Sequence, residues 1–260
     1  GISAAKAAVD IAEAPLQTGS AVAPNIYFVL DDSGSMQWEV MPDDYVYVNG
    51  TIQGYLFPIP SNMYDGLNHF DKRIPTFADD NIHNVIKRSS AVNKVFYNPF
   101  SDYTPWKSWE DKSFGDAKPT EAPWDPYDGD PGTINLTTKK SYDRWYSSTS
   151  NLDGRSTSNS SLDYWPITFF VYKGSGSEFE IKNYTGYQIR GSKAYTKNMG
   201  STKSWQEMTT KFTWSKTQIV NGVEQTTTIN RTVAEETQHF ANWFTYYRSR
   251  ILAARAGTSD

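Results

Sequence analysis

Hydrophobic and polar positions along this chain fall into three regimes. In the first, residues 1–14 have a helix-favouring composition without a cap or a clear apolar stripe, and read as a loosely held leader. Pro15 and Pro24 then bring an extended chain into 25–30, an apolar, β-forming run that ends abruptly in Asp31, Asp32, Ser33, Gly34 and Ser35. The second regime fills 37–231 and has a period of two wherever it has a period at all. Asn49-Gly50 between 45–48 and 51–56 predicts a two-residue hairpin turn, and Asn221-Gly222 predicts a second between 212–220 and 223–229. Strands are also expected at 167–172 and 178–182, and a short helix within 82–92. From 97 to 131 Trp, Pro, Asp and Tyr follow one another without a period, which predicts a long structured loop. A Ser/Thr/Asn run at 147–161 is expected to be a mobile surface loop.

The third regime is helical. Thr232 and Glu235 fit a capping box, and Phe240, Trp243, Phe244, Tyr247 and Ile251 mark one face at helical spacing. The pattern predicts one long helix over 232–257 whose aromatic face is a core face. Arg248, Arg250 and Arg255 fall in its C-terminal half, where cations complement the helix dipole.

Composition narrows the function classes. The 260 residues suffice for one large domain or two small ones. The net charge of −4 and the scattered placement of 25 Lys and Arg give no basic stripe, which argues against nucleic acid as a partner. Without cysteine there is no disulfide frame, thiol nucleophile or zinc–thiolate site. An aromatic content of 15%, with 17 Tyr and 9 Trp among many Ser, Thr and Asn, reads as a secreted or surface β-rich protein. No apolar run is long enough to predict a membrane span.

The candidate chemistry sits where the first apolar run ends. Asp31, Ser33 and Ser35 place a carboxylate and two hydroxyls on alternate residues of a tight loop, facing one small cation, with Gly34 expected to ease the turn. Hard, partly hydrated oxygen coordination suits Mg2+, with Mn2+ or Ca2+ as alternatives. An ordinary strand-end turn has the same composition; the apolar run before it is what favours a metal loop. Asp32 is adjacent and is not counted as a ligand. Asp125, Asp128 and Asp130 lack the EF-hand spacing and read as an acidic turn. His69, His83 and His239 are isolated, outside any HExxH or G-x-S-x-G context, and read as surface or cap residues. No enzymatic activity is expected.

Asp31, Ser33 and Ser35 after an apolar strand resemble the first half of the metal-ion-dependent adhesion site of von Willebrand factor A (vWA) domains. With Val22-Ala23-Pro24-Asn25 in front, this stretch resembles the N-terminal region of the PilY1/PilC family of type IV pilus tip-associated adhesins. Two further landmarks agree in order: Val95-Phe96-Tyr97-Asn98-Pro99 with Tyr103-Thr104-Pro105-Trp106, and the helix containing Phe240-Ala241-Asn242-Trp243-Phe244. The resemblance implies an α/β fold, the N-terminal part of a vWA-like domain split by a large β-rich insertion. Its first strand and metal loop would lie at 21–36, the insertion at 37–231 and the first helix at 232–257. Residues 1–20 would be a leader and 258–260 the chain end, with the remaining vWA core and the family's propeller outside this chain. It implies Asp31, Ser33 and Ser35 as ligands of an incomplete site, since vWA sites take a further Thr and Asp from later loops. It also implies a secreted protein, reaching the pilus tip or cell surface through the periplasm. There it would support pilus assembly, adhesion and surface or mechanical sensing, with minor pilins and a host-cell or abiotic surface ligand as partners. Two other readings stay open: another secreted vWA-type ligand-binding protein, and a carbohydrate-binding β-module resting on the Trp and Tyr of 97–127, expected to be exposed.

Overall fold

The structure is a computed structural model that describes residues 31, 33–48, 51–52, 54–58, 60, 63, 73–74, 81–108, 112–144 and 161–259. The expected leader and the strand at 25–30 lie outside the described residues, as do Asp32, the Asn49-Gly50 turn, His69 and the Ser/Thr/Asn run at 147–160. The strand pairs that flank Asn49-Gly50 are described, and their register, Tyr47 opposite Ile52 and Val48 opposite Thr51, is that of a two-residue hairpin.

The short helix expected within 82–92 is α1, Ile82–Lys87, started by Asn81, whose side chain accepts the His83 N–H at 2.9 Å. An antiparallel meander follows, made of β1 (Thr168–Tyr172), β2 (Tyr184–Arg190), β3 (Lys193–Asn198) and β4 (Gln206–Glu207), in the order β4-β3-β2-β1. Both of its faces are covered. Phe170 and Tyr184 pack with Val85 and Ile86 of α1, while Phe169, Tyr187 and Ile189 face the main core. Gly186 permits this. A Cβ there would lie 2.8 Å from the Trp205 indole and 3.1 Å from the Phe170 ring.

The strand expected at 178–182 is instead a turn closing in a 3-10 turn, Ile181–Asn183. Gly174 and Gly176 at positive φ bend the chain, and the Asn183 side-chain amide binds the Ser177 carbonyl at 2.8 Å. A short alternation of apolar and polar residues does not distinguish such a turn from a strand. The β2–β3 hairpin is an element the pattern analysis passed over. Its signal is Gly191-Ser192, with Gly191 at φ +63.

The ribbon β5 (Phe212–Val220) and β6 (Val223–Arg231) forms as expected. Asn221 at φ 52 and Gly222 at φ 78 make the primed turn that matches strand twist. Among its described side chains the buried ones are at its base, Phe212 and Trp214.

The long helix is broken into α2 (Val233–Tyr246) and α3 (Arg250–Ser259). The capping box is present: Glu235 N–H donates to Thr232 Oγ1 at 3.2 Å, and Thr232 N–H donates to Glu235 Oε2 at 2.7 Å. The break at Tyr247–Ser249 turns Arg248 into the core and leaves the Arg250 N–H to bind Trp38 O at 3.1 Å. The Arg250 guanidinium binds Val40 O. Neither arginine serves as the surface dipole complement the pattern suggested; only Arg255 of the three is exposed.

Phe240, Trp243 and Phe244 of α2 are buried as predicted, against Phe57, Phe96, Tyr97 and Trp124, with ring centroids 4.8–5.2 Å apart in the closest pairs. All four partners come from 37–231, so the helix that the sequence set apart lies inside the core of that segment. Asp31–Asp260 forms one compact unit. The aperiodic stretch after Tyr97 is held from the other side of α2. Asn242 accepts the Ala117 N–H at 3.0 Å, Gln238 binds Ala117 O at 2.7 Å, and Tyr246 Oη binds Gly115 O at 2.7 Å. Side chains of the helix thus supply the partners that this loop's backbone cannot find in a sheet.

Candidate functional site

The D-x-S-x-S residues are brought together on the surface. Asp31 Oδ1 accepts the Ser33 N–H at 2.9 Å, and Ser33 Oγ lies 3.1 Å from Ser35 Oγ. Gly34–Gln37 is one turn of 3-10 helix, with Met36 N–H bound to Ser33 O at 2.9 Å. The Ser33 amide and hydroxyl hold the Asp31 carboxyl below its ordinary range. Gly34 is not the strained position expected of it: its φ is not positive, and an added Cβ would meet nothing within 4 Å. The loop is anchored one turn later, where Trp38 O accepts the first amide of α3.

Two hydroxyls at this separation match adjacent ligands of an octahedron, which lie about 3 Å apart when the bonds are about 2.1 Å. One carboxylate and two hydroxyls are hard oxygen donors of the kind Mg2+ takes, with water completing its shell. Among the described residues no group of three or more His, Cys, Asp or Glu gathers to hold a metal, at this loop or elsewhere. In the acidic turn, Asp125 Oδ1 accepts the Tyr127 and Asp128 N–H groups, and Asp128 accepts the Asp130 N–H.

Behind this loop, at Glu39, is a buried ion pair that the sequence did not signal. Arg248 Nε donates to Glu39 Oε1 at 2.9 Å, and Glu39 Oε2 accepts the Leu56 and Phe57 N–H groups at 2.6 and 3.1 Å. Arg248 also binds Phe244 O and Trp124 O, and its guanidinium lies 4.3 Å from the Phe244 ring centroid. Burial pushes the Glu39 carboxyl up, opposed by the Arg248 charge and the two amides. The pair joins the segment after the 31–37 loop to the break between α2 and α3, so the loop rests on a braced base.

A second polar cluster corrects the reading of His239 as a surface or cap residue. Tyr97 Oη lies 2.6 Å from both Glu236 Oε1 and His239 Nδ1, and His239 Nε2 lies 2.7 Å from Ser101 O. Arg231 binds Glu236 Oε2 at 3.1 Å and Pro99 O at 2.8 Å. Tyr97 Oη donates to Glu236 Oε1, and Arg231 Nη2 lies 3.2 Å from His239 Nε2, the nitrogen that also faces Ser101 O. Burial raises the Glu236 carboxyl, opposed by Tyr97 and Arg231, and, with Arg231 beside it, pushes His239 down to about 4. His83, by contrast, is exposed on α1.

The aromatic residues of 97–127 are mostly not the exposed set expected of a carbohydrate module. Tyr97, Trp106 and Trp124 are buried; Phe114 and Tyr127 are exposed. The Tyr97–Pro99 and Tyr103–Trp106 landmarks wrap α2, with Tyr247 Oη bound to Thr104 O at 2.8 Å and Trp106 Nε1 bound to Tyr246 O at 3.1 Å. Sequence stretches far apart in the chain thus converge on α2 and α3. Among the described residues no helix is long and apolar enough to cross a membrane.

Over 256 residues, 97% of its length, the chain is 24% identical to the type IV pilus biogenesis factor PilY1 of Pseudomonas aeruginosa (strain PAK), and spans 16% of that protein. No protein-family model matches the chain, and no solved structure matches it.

Proposed function

We propose that this chain is the N-terminal, vWA-like part of a pilus-tip-associated adhesin that supports type IV pilus assembly and surface attachment. The observation that carries this reading is the similarity to a pilus biogenesis factor along nearly the whole chain. The grouping of Asp31, Ser33 and Ser35 at an exposed loop supports a metal-dependent adhesion site within it. Asp31, Ser33 and Ser35 would hold the Mg2+, and the cation would supply open coordination positions for an acidic group of a minor pilin or surface ligand. Three donors from one loop bind Mg2+ weakly, because the ion gives up water reluctantly. On this reading the protein acts outside the cell, at the pilus tip.

The test is a pull-down of the chain against purified minor pilins in Mg2+ and in EDTA, with wild type and Asp31→Ala. Capture in Mg2+ that is lost both in EDTA and in the variant supports a metal-dependent interface. Capture that survives both keeps the pilus-tip role and removes the metal from it. The absence of capture in every arm overturns the assembly role.

A further inference from the structure

The ribbon of β5 and β6 carries two long unpaired edges. Its register is unbroken from Phe212 opposite Arg231 to Val220 opposite Val223, without a bulge or a proline. Among the described residues no third strand joins this sheet, and no backbone group outside it bonds to either edge. An edge of this kind is a template for one more strand.

Antiparallel geometry fixes which groups point outward. The two-residue turn closes on a hydrogen-bonded pair, Val220 and Val223, and the pairs alternate from there. The outward N–H and C=O groups of β6 therefore belong to Glu224, Thr226, Thr228 and Asn230, all exposed, and those of β5 to Thr213, Ser215, Thr217 and Ile219. A second copy of β6 matches this spacing when it runs antiparallel about a two-fold axis at Thr227. Glu224 then faces Asn230 of the second copy and Thr226 faces Thr228 of the second copy, each pair exchanging two hydrogen bonds. No like charges are opposed. The threonine pairs extend the hydroxyl ladder of Ser215 with Thr228 and Thr217 with Thr226, 3.3 and 2.8 Å apart. The same symmetry at β5 sets Lys216 opposite its own copy, which disfavours that edge.

The ends of this pairing also find a place. An open groove of about 390 Å3 lies between the base of β6 and α2, lined by Ile229, Asn230 and Arg231 on one side and Glu235, Gln238 and Asn242 on the other. In the two-fold register Val223 of the second copy comes opposite Arg231, with Ile229 as its diagonal neighbour on the same face. Val223 is an apolar residue left 61% exposed in the single chain, and the groove gives it cover. We propose that this chain forms a two-fold symmetric dimer in which β6 pairs edge to edge with β6 of a second copy, making one four-stranded sheet. This interface lies outside the 31–37 loop and uses none of the proposed adhesion chemistry there.

Sedimentation velocity of the full chain over about 5–500 µM tests it, since a single strand edge is a small interface and its dimer should dissociate in the micromolar range. Thr226→Pro removes an outward N–H without removing a bond inside the ribbon. It should weaken the dimer at least about tenfold, because two-fold symmetry loses that bond twice. Thr217→Pro makes the same change on the β5 edge and should leave association as in the wild type. The chain has no cysteine, so Thr227→Cys places its one thiol on the axis, opposite itself at the close spacing a disulfide spans. With oxidised glutathione this variant should give a covalent dimer, whereas Thr226→Cys, opposite Thr228 of the second copy, should cross-link at least about tenfold more slowly. The proposal is overturned by a monomer at about 500 µM, by Thr226→Pro associating no more weakly than Thr217→Pro, or by equal cross-linking of the two cysteine variants. Association should persist in EDTA and in Asp31→Ala; its loss there would also overturn the proposal, by moving the contact to the metal loop.

Discussion

Replacing Arg248 with Met isolates the charge at the centre of this fold, since the thioether keeps much of the buried volume. Arg248 is fully buried and contacts Glu39 at 2.9 Å, Phe244 O at 2.6 Å and Trp124 O at 2.9 Å. Without it, Glu39 keeps only the Leu56 and Phe57 amides, and a carboxylate with no countercharge stays in the core. Breaking a buried pair in this way costs about 3–5 kcal/mol. At about 2–4 °C per kcal/mol for a unit of this size, the melting temperature should fall by roughly 6–20 °C. The pH dependence identifies the cause. Burial raises the folded Glu39 carboxyl above 4.5, and loss of Arg248 raises it further. A carboxyl raised in the folded state contributes stability that is full below its unfolded value and is lost as pH rises through its folded one. Arg248→Met should therefore be less damaging at about pH 5 than at about pH 8. Adding Glu39→Gln, which removes the charge but keeps an acceptor for the two amides, should recover about 1–3 kcal/mol. Urea and thermal melts of the wild type, Arg248→Met and the double variant at both pH values give these numbers. A cost below about 1 kcal/mol that does not change with pH would refute the reasoning.

The histidine cluster and the ribbon give further tests. The unfolded imidazole takes its proton near 6.5 and the folded one near 4, so His239 contributes stability that is full above 6.5 and lost as pH falls through 4. That contribution amounts to at most about 3 kcal/mol, and His239→Gln should flatten this acid limb in urea melts; an unchanged limb would show that other groups cause it. In the ribbon, Trp214→Ala should cost about 3–5 kcal/mol because the side chain is buried against Phe169 and Tyr187. Ile219→Ser at the exposed tip should stay within about 0.5 kcal/mol, and comparable losses at both positions would mean the tip is not free.

Local features of this protein were legible in its sequence. The Asn221-Gly222 hairpin, the Thr232–Glu235 capping box and the aromatic face of Phe240, Trp243 and Phe244 are fixed by neighbours within a few residues, so the pattern alone gives them. The same holds for the grouping of Asp31, Ser33 and Ser35, whose oxygens meet because a tight turn leaves them little choice. Tertiary structure decided the rest. It broke the helix at Tyr247–Ser249, because an arginine fully desolvated against Glu39 outweighs one more helical turn. It placed α2 within the core of 37–231, because only those rings complete the burial of its aromatic face. It also buried Tyr97, Trp106 and Trp124 while leaving Phe114 and Tyr127 exposed. Which of several equally aromatic side chains meets water depends on partners more than a hundred residues away, and no local pattern carries that information.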